Sequence, residues 1–188
     1  MKKAFGIVIE KSTWKTSVFF TLLFITFYLL INFSGIGVSG LLDITGGASI
    51  LDFEFGYTYE KADEMLSALG QEGRNFYLTK LLPLDFLFPL VYMLCFAGTT
   101  ALLIKCLKQK ERLAALLLVP VFAMVFDWSE NIGIIAMLHN YKDLPMLAVS
   151  LSSISGILKT VFVIGSVITT GVLFLLFILM GIRKNRRA

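Results

Sequence analysis

Three acidic residues lie within long apolar stretches of the chain, where their surroundings offer little water. They are Asp85, Asp127 and Glu130, and Lys159 lies in the last apolar stretch as the obvious cationic partner. An ionisable side chain at membrane depth is costly, and by default it indicates a functional site. These residues are therefore the first candidates for the chemistry of this protein.

Helical periodicity places the polar residues of each stretch on one side. On the third apolar stretch, Asp127, Glu130 and Asn131 are spaced i, i+3, i+4 and share a helix face. On the second stretch, Asp85 and Tyr92 are seven residues apart and also share a face. Because exposing these faces to lipid would be expensive, we expect them to point into a helix bundle.

Helical rise predicts that the ionisable residues lie at one depth. Asp85 is about 6 Å below the outer end of its span, and Asp127 and Glu130 are about 21 Å and about 25 Å above the inner end of theirs. Lys159 is also far from the basic residues that end its stretch. Against a hydrocarbon core of about 30 Å, all four lie in the outer third. We therefore predict that their side chains meet there.

Several kinds of chemistry fit such a cluster. A buried acid–lysine pair can fix how helices pack. A polar pocket with apolar walls suits an amphiphile with one polar end. Two carboxyl groups could also act as an acid and base pair in cutting an amide or ester or in shifting a double bond. A divalent cation held by three carboxylates is a further alternative.

The sequence predicts a set of ligand-binding residues, without metal and without cofactor. It has one histidine and no nucleotide-binding or zinc-protease motif. The candidates for catalysis are Asp85, Asp127 and Glu130. The predicted ligand-binding residues are Arg74, Asp85, Tyr92, Asp127, Glu130, Asn131 and Lys159.

Composition indicates an all-α integral membrane protein, a single domain of residues 1–188 with a four-helix bundle. The chain is 57% hydrophobic and only 16% charged, with a mean hydropathy of +0.82, whereas soluble domains have roughly 25% charged residues. Each apolar stretch comes close to the roughly 20 residues that span a bilayer. The predicted spans are about 16–33, 81–104, 113–138 and 153–181.

Charge placement predicts the orientation and excludes nucleic acid as a partner. The amino-terminal segment, the loop after the second span and the tail hold 12 of the 17 Lys and Arg residues, while the other two loops are acid-rich. Since basic loops remain inside, both termini are predicted to be cytoplasmic, in a multi-pass protein of the plasma membrane. The net charge of +4 marks span ends rather than a basic surface for nucleic acid.

The long outer loop, residues 34–80, is predicted to carry a short amphipathic helix at about 59–69. Thr58 is a suitable N-cap and Gly70 a suitable stop. Apolar residues follow helical spacing at Ala62, Met65, Leu66 and Leu69. This helix either covers exposed side chains or forms a lid over a cavity, and the sequence leaves both readings open.

Residues 57–131 resemble a pattern found in small, largely uncharacterised prokaryotic four-span proteins. In that pattern a G-x-x-G-R-x-x-Y step precedes a helix that opens with Asp and Pro, and D-x-x-E-N follows on the next helix. The matching positions are Gly70, Gly73, Arg74, Tyr77, Asp85, Pro89, Asp127, Glu130 and Asn131. The resemblance implies no named activity. A weaker likeness, in architecture only, is to the sterol isomerase and sigma-2 receptor group.

The function predicted from these observations is binding of a lipid-like or amphiphilic ligand at an acidic site in the outer half of the membrane. Whether the ligand is also converted is open. The first alternative is a non-catalytic assembly or scaffold subunit whose polar cluster only packs helices. The second is an oligomeric transporter or channel. The expected partners are a membrane lipid or an amphiphilic small molecule, with a homo-oligomer or another membrane protein as alternatives.

Overall fold

The computed structural model describes the backbone of residues 2–185, and within it the side chains of residues 5–109 and 112–182. Over this range the chain forms helices and turns, with no β-strand. The α-helices are α1 (Lys2–Lys11), α2 (Trp14–Phe33), α3 (Val38–Thr45), α4 (Tyr59–Ala68), α5 (Gly70–Phe76), α6 (Leu82–Cys106), α7 (Lys110–Leu113), α8 (Leu118–His139) and α9 (Met146–Asn185).

Among the described residues, four helical segments are long and apolar enough to cross a membrane. They contain α2, α6, α8 and α9. The last of these helices begins at Met146 instead of near residue 153, because Pro145 sets its start and the apolar sequence after it continues without a break. The third segment runs from Ala114 to His139, and residues 114–117 form a 3₁₀ turn before α8 within it.

Residues 34–81 form a cap of short helices at one end of the molecule, which we call the loop end. They include α3, a 3₁₀ turn at Leu51–Phe53, α4, α5 and a π-helical turn at Tyr77–Leu81 that joins α5 to α6. The Thr58 side chain accepts a hydrogen bond from the Lys61 amide, so it caps α4. Gly70 adopts a left-handed conformation (φ +62°), which lets α5 start in a new direction.

An apolar cluster holds this cap on the long helices. The inward face of α4 is buried, and it packs with residues of α3, α8 and α9. The members of that face are Ala62, Met65 and Leu66, with Leu69 following. The segment between the first two long helices is thus a packed layer, and α3 within it lies in sequence that offered only glycines and scattered apolar residues as signals.

At the opposite end, which we call the basic end, α1 packs on the end of α6. Ile9 is buried among Ile104, Leu107 and their neighbours. The Lys105 ammonium donates hydrogen bonds to the carbonyl oxygens of Glu10 (2.7 Å) and Ser12 (3.0 Å). These bonds fasten the α1–α2 connection to α6.

The long helices pack unevenly. Helix α8 packs most extensively on α9, and Gly133 permits this approach, since a Cβ there would lie 2.6 Å from the Cβ of Ser152. Helix α6 packs on α2, α8 and α9. Helix α2 packs chiefly on α6, and a cavity remains on the side where α2 faces α9.

Candidate functional site

A cavity of about 380 Å³ lies between α2, α6 and α9, and it is partly open to the surroundings. Its walls are mostly apolar and aromatic. They include Phe24 and Tyr28 of α2, Phe88 and Phe96 of α6, and Val163, Ile164 and Val167 of α9. At the loop end the cavity is closed by polar side chains, so one end differs chemically from the rest.

The cation of the polar end is Lys159, on α9. Its ammonium lies 2.5 Å from Oε2 of Glu130 and 3.7 Å from Oδ1 of Asp52. The Lys159 side chain is only 13% exposed, and that of Glu130 is fully buried. A buried ion pair of this kind is stable only when both members remain, because either one alone would be an uncompensated charge.

A second set of contacts joins α6 to α8. The Tyr92 hydroxyl donates a hydrogen bond to Oδ2 of Asp127 at 3.0 Å. The Asn131 amide nitrogen lies 3.4 Å from Oδ1 of Asp127 and 3.2 Å from the carbonyl oxygen of Asp85. The Asp127 carboxylate is therefore held by neutral donors on both oxygens, and it stays at the cavity wall.

A fourth carboxylate, Asp52, enters the site from the cap. It lies in the 3₁₀ turn Leu51–Phe53, within residues 46–57, which we call the Asp52 segment. The Tyr77 hydroxyl donates a hydrogen bond to Oδ2 of Asp52. Sequence reasoning missed Asp52 because it is distant from every predicted span. The one available signal was its position between Leu51 and Phe53, an acidic residue within an otherwise apolar run.

Glycine makes room for the buried Glu130 carboxylate. A Cβ at Gly156 of α9 would lie 2.4 Å from Oε1 of Glu130, closer than two such atoms approach. The Glu130 backbone carbonyl accepts a hydrogen bond from Ser152 (2.8 Å), which in turn accepts one from the Tyr57 hydroxyl (2.8 Å). Burial raises the pKa of the Tyr57 phenol well above its ordinary value, so this group remains a hydrogen-bond donor.

The predicted site residues fall into three groups in the structure. Those that line the cavity are Asp85, Tyr92, Asp127 and Lys159. Glu130 and Asn131 lie behind this lining, in contact with Lys159 and Asp127 respectively.

Arg74 lies apart from the cluster. Its Nη1 donates to the Leu66 carbonyl at 2.8 Å, and its guanidinium lies 3.5 Å from the centre of the Tyr141 ring. The reason is length along the helix, because eleven residues separate Arg74 from Asp85, about 16 Å of rise. The guanidinium therefore stabilises the cap around α4 instead of reaching the cavity.

The chemistry of the site is that of carboxyl groups facing one ammonium. Within the described part of the chain, no three His, Cys, Asp or Glu side chains are placed to hold a metal ion. In this site the carboxyl groups of Asp52, Asp127 and Glu130 contact Lys159, tyrosine hydroxyls and an amide. Such an arrangement can bind the polar end of a molecule whose apolar part fills the rest of the cavity.

Comparison of the chain with models of known families, with curated proteins and with solved structures gives no match. The resemblance of residues 57–131 to four-span prokaryotic proteins stays a prediction from the pattern of residues.

Proposed function

We propose that this chain is a four-span integral membrane protein, with both termini in the cytoplasm, that binds a membrane amphiphile in the cavity between α2, α6 and α9. The polar end of the amphiphile lies at Asp85 and Asp127, and its apolar chain lies against the walls. The observation that carries this proposal is the two-part lining, in which aromatic and aliphatic walls end at buried ionisable side chains.

The depth of the cavity suits a molecule of the outer leaflet. Asp85 precedes Lys105 by twenty residues, about 30 Å of helix, which is the thickness of the hydrocarbon core. Phe96 precedes Lys105 by nine residues, about 14 Å. With Lys105 at the cytoplasmic boundary, the polar end lies at the outer boundary of the hydrocarbon, and the apolar part extends to its middle.

The size and the opening of the cavity support the same occupant. A volume of about 380 Å³ falls within the range of about 300–1,000 Å³ that is usual for small-molecule sites. The outward faces of α2 and α9 are exposed and apolar, as helices in contact with lipid are. An amphiphile can therefore enter sideways from the bilayer without passing through water.

A cavity-filling variant tests this proposal. Val163 lines the cavity, whereas Val161, two residues earlier on α9, is 52% exposed on the outward face. Native mass spectrometry of the wild-type protein in mild detergent should detect bound lipid. We expect Val163→Phe to lose that adduct and Val161→Phe to retain it. Equal adducts in all three proteins would contradict a site in this cavity.

A second candidate is a purely structural role for the cluster. The contacts of Asp127 with Tyr92, of Asn131 with the Asp85 carbonyl and of Glu130 with Lys159 each join two of the long helices. Under this alternative, Asp127→Asn lowers the thermal stability and leaves lipid adducts unchanged. Under the binding proposal, the same variant loses its adduct even when its unfolding temperature is close to that of the wild type.

A further inference from the structure

We propose that the occupant of this cavity has a positively charged amine as its polar end, and not a phosphate or a carboxylate. This inference rests on the proposed amphiphile site and adds the chemical class of its ligand. It follows from the charges around the cavity, from the hydrogen-bonding atoms that have no partner, and from the position of the nearby cations.

Carboxyl groups outnumber cationic side chains around the cavity. Carboxyl groups of Asp52, Asp85, Asp127 and Glu130 belong to the cluster, and Lys159 is the one cationic side chain among the described residues that line the cavity. That ammonium already lies between Glu130 and Asp52. No cation is left among these lining residues for the other two carboxylates, and a ligand cation would be attracted to them.

The cluster also has more hydrogen-bond acceptors than donors, because its buried atoms without a partner are all acceptor oxygens. Four buried oxygens of the cluster accept no hydrogen bond from any described residue: Oδ1 of Asp52, both carboxyl oxygens of Glu130, and Oδ1 of Asn131. Glu130 and Asn131 lie behind the cavity lining, so Oδ1 of Asp52 is the one of these four acceptors that belongs to a lining residue. The Asp52 side chain is only 10% exposed, lines the cavity, and has Lys159 at 3.7 Å, beyond hydrogen-bond distance.

An amine corrects both deficits at once, since an ammonium group brings positive charge and up to three N–H donors. A phosphate or carboxylate would bring more negative charge and more acceptors to a site that already has too many of each. The cations that could favour an anionic headgroup are elsewhere. Arg74 stacks on Tyr141 in the cap, and Lys80 is exposed.

Three amphiphiles with the same chain and different ends test the proposal. They are octylamine, 1-octanol and octyl phosphate, added to the purified full-length protein in a neutral maltoside detergent at pH 7, where the amine is protonated. Binding is measured by native mass spectrometry. We expect octylamine to bind about tenfold or more tightly than 1-octanol, since charge-assisted hydrogen bonds are the stronger ones, and octyl phosphate to bind most weakly.

Carboxamide variants identify the groups responsible. We expect Asp85→Asn and Asp127→Asn each to weaken octylamine binding about tenfold and to weaken 1-octanol binding by a smaller factor, because a charge-assisted hydrogen bond loses more than a neutral one when the carboxylate is replaced. The matched control is Asp143→Asn, an exposed carboxylate in the loop before α9, which should bind octylamine like the wild type. Thermal unfolding of each variant verifies that it is folded, and the two cavity variants are made separately so that one folded variant suffices.

The outcomes distinguish this inference from the function on which it rests. If 1-octanol and octylamine bind equally, and Val163→Phe abolishes both, the amphiphile site stands and the amine headgroup is overturned. Tighter binding of octyl phosphate than of octylamine overturns it as well. If the wild-type protein binds none of the three molecules, the amphiphile site itself is overturned.

Discussion

Lys159 is the residue on which the buried carboxylates depend. It is the described cation closest to Glu130, whose side chain is fully buried and whose Oε2 lies 2.5 Å from the ammonium. A carboxylate in that position without a cation would have neither water nor a counter-charge. The attraction between Lys159 and Glu130 therefore adds little to the stability of the fold, but the loss of either partner would leave a destabilising unpaired charge.

The first prediction concerns this pair. We expect Lys159→Met to lower the free energy of unfolding by about 3–5 kcal/mol, because it leaves Glu130 uncompensated. The double variant Lys159→Met/Glu130→Gln should recover much of the loss, since no unpaired charge remains. Unfolding by dodecyl sulfate in mixed micelles measures both. If the free energy of unfolding of Lys159→Met is within about 1 kcal/mol of that of the wild type, this account of the pair is refuted.

The second prediction uses two glycines of the same helix. A Cβ at Gly156 would clash with the Glu130 carboxylate, whereas at Gly171 no atom lies within 4 Å of the added carbon. We expect Gly156→Ala to destabilise the protein by about 1–3 kcal/mol through overpacking. Gly171→Ala should be neutral or stabilising by up to about 1 kcal/mol, as alanine favours helix. Equal unfolding free energies for Gly156→Ala and Gly171→Ala would contradict this prediction.

The residues of the site differ in how far the sequence could reveal them. Asp85, Asp127 and Lys159 attract attention because a charge in an apolar run is expensive, and helical rise gives their depth. Asp52 could not be found in this way, because it comes from a turn whose path depends on the packing of α3 and α4. Arg74 is among the predicted ligand-binding residues, and in the structure it contacts Leu66 and Tyr141 in the cap.

At the scale of elements, the Asp52 segment is bounded by glycines in backbone conformations that other residues rarely adopt. Gly46 and Gly47 have φ of +67° and +100°, and Gly56 has φ of +80°. The segment carries Asp52 to the cavity, and a single hydroxyl, that of Tyr77, donates to its Oδ2. Buried Ile50 and Leu51 and the hydrogen bonds from Tyr57 to α9 also hold the segment, and the bond from Tyr77 is the one that fixes the Asp52 carboxylate.

The third prediction follows from that attachment. We expect Tyr77→Phe to increase hydrogen exchange at the backbone amides of residues 46–57 several-fold, because the buried Asp52 carboxylate loses its donor and the segment opens more often. Tyr59→Phe is the matched control, since no described residue is hydrogen-bonded to the Tyr59 hydroxyl. Unchanged exchange in Tyr77→Phe would show that apolar packing and the Tyr57 hydrogen bonds hold the segment without the bond to Asp52.

The four long helices could be predicted from the sequence, whereas most of the cap could not. Apolar runs of about twenty residues have few folded alternatives, so the existence of the four membrane-length helices follows from hydropathy alone. Helix α3 and the π-helical turn at Tyr77–Leu81 depend on contacts with distant residues. Helix α4 is intermediate, because Thr58 and the apolar spacing after it are local signals.

At the scale of the whole molecule, the fourth prediction concerns orientation. Cys95 and Cys106 are free and can be replaced, after which single cysteines report on the side of the membrane. In intact cells, a cysteine at Glu72 should react with an impermeant maleimide, and one at Lys108 should react only after permeabilisation. Labelling of Lys108→Cys in intact cells would reverse the proposed orientation and move the acidic site to the cytoplasmic side.

The length of helix α9 determines how much of it lies in the bilayer. Its apolar part, Met146–Ile182, has 37 residues, or about 55 Å of helix, nearly twice the thickness of the hydrocarbon. With Lys159 at the outer boundary of the hydrocarbon, the 23 residues from there to Ile182 rise about 34 Å and suffice to cross it, so the first part of α9 extends about 20 Å beyond the lipid. There Ser152 and Ser153 accept hydrogen bonds from Tyr57 of the cap, so one continuous helix both crosses the bilayer and supports the structure outside it.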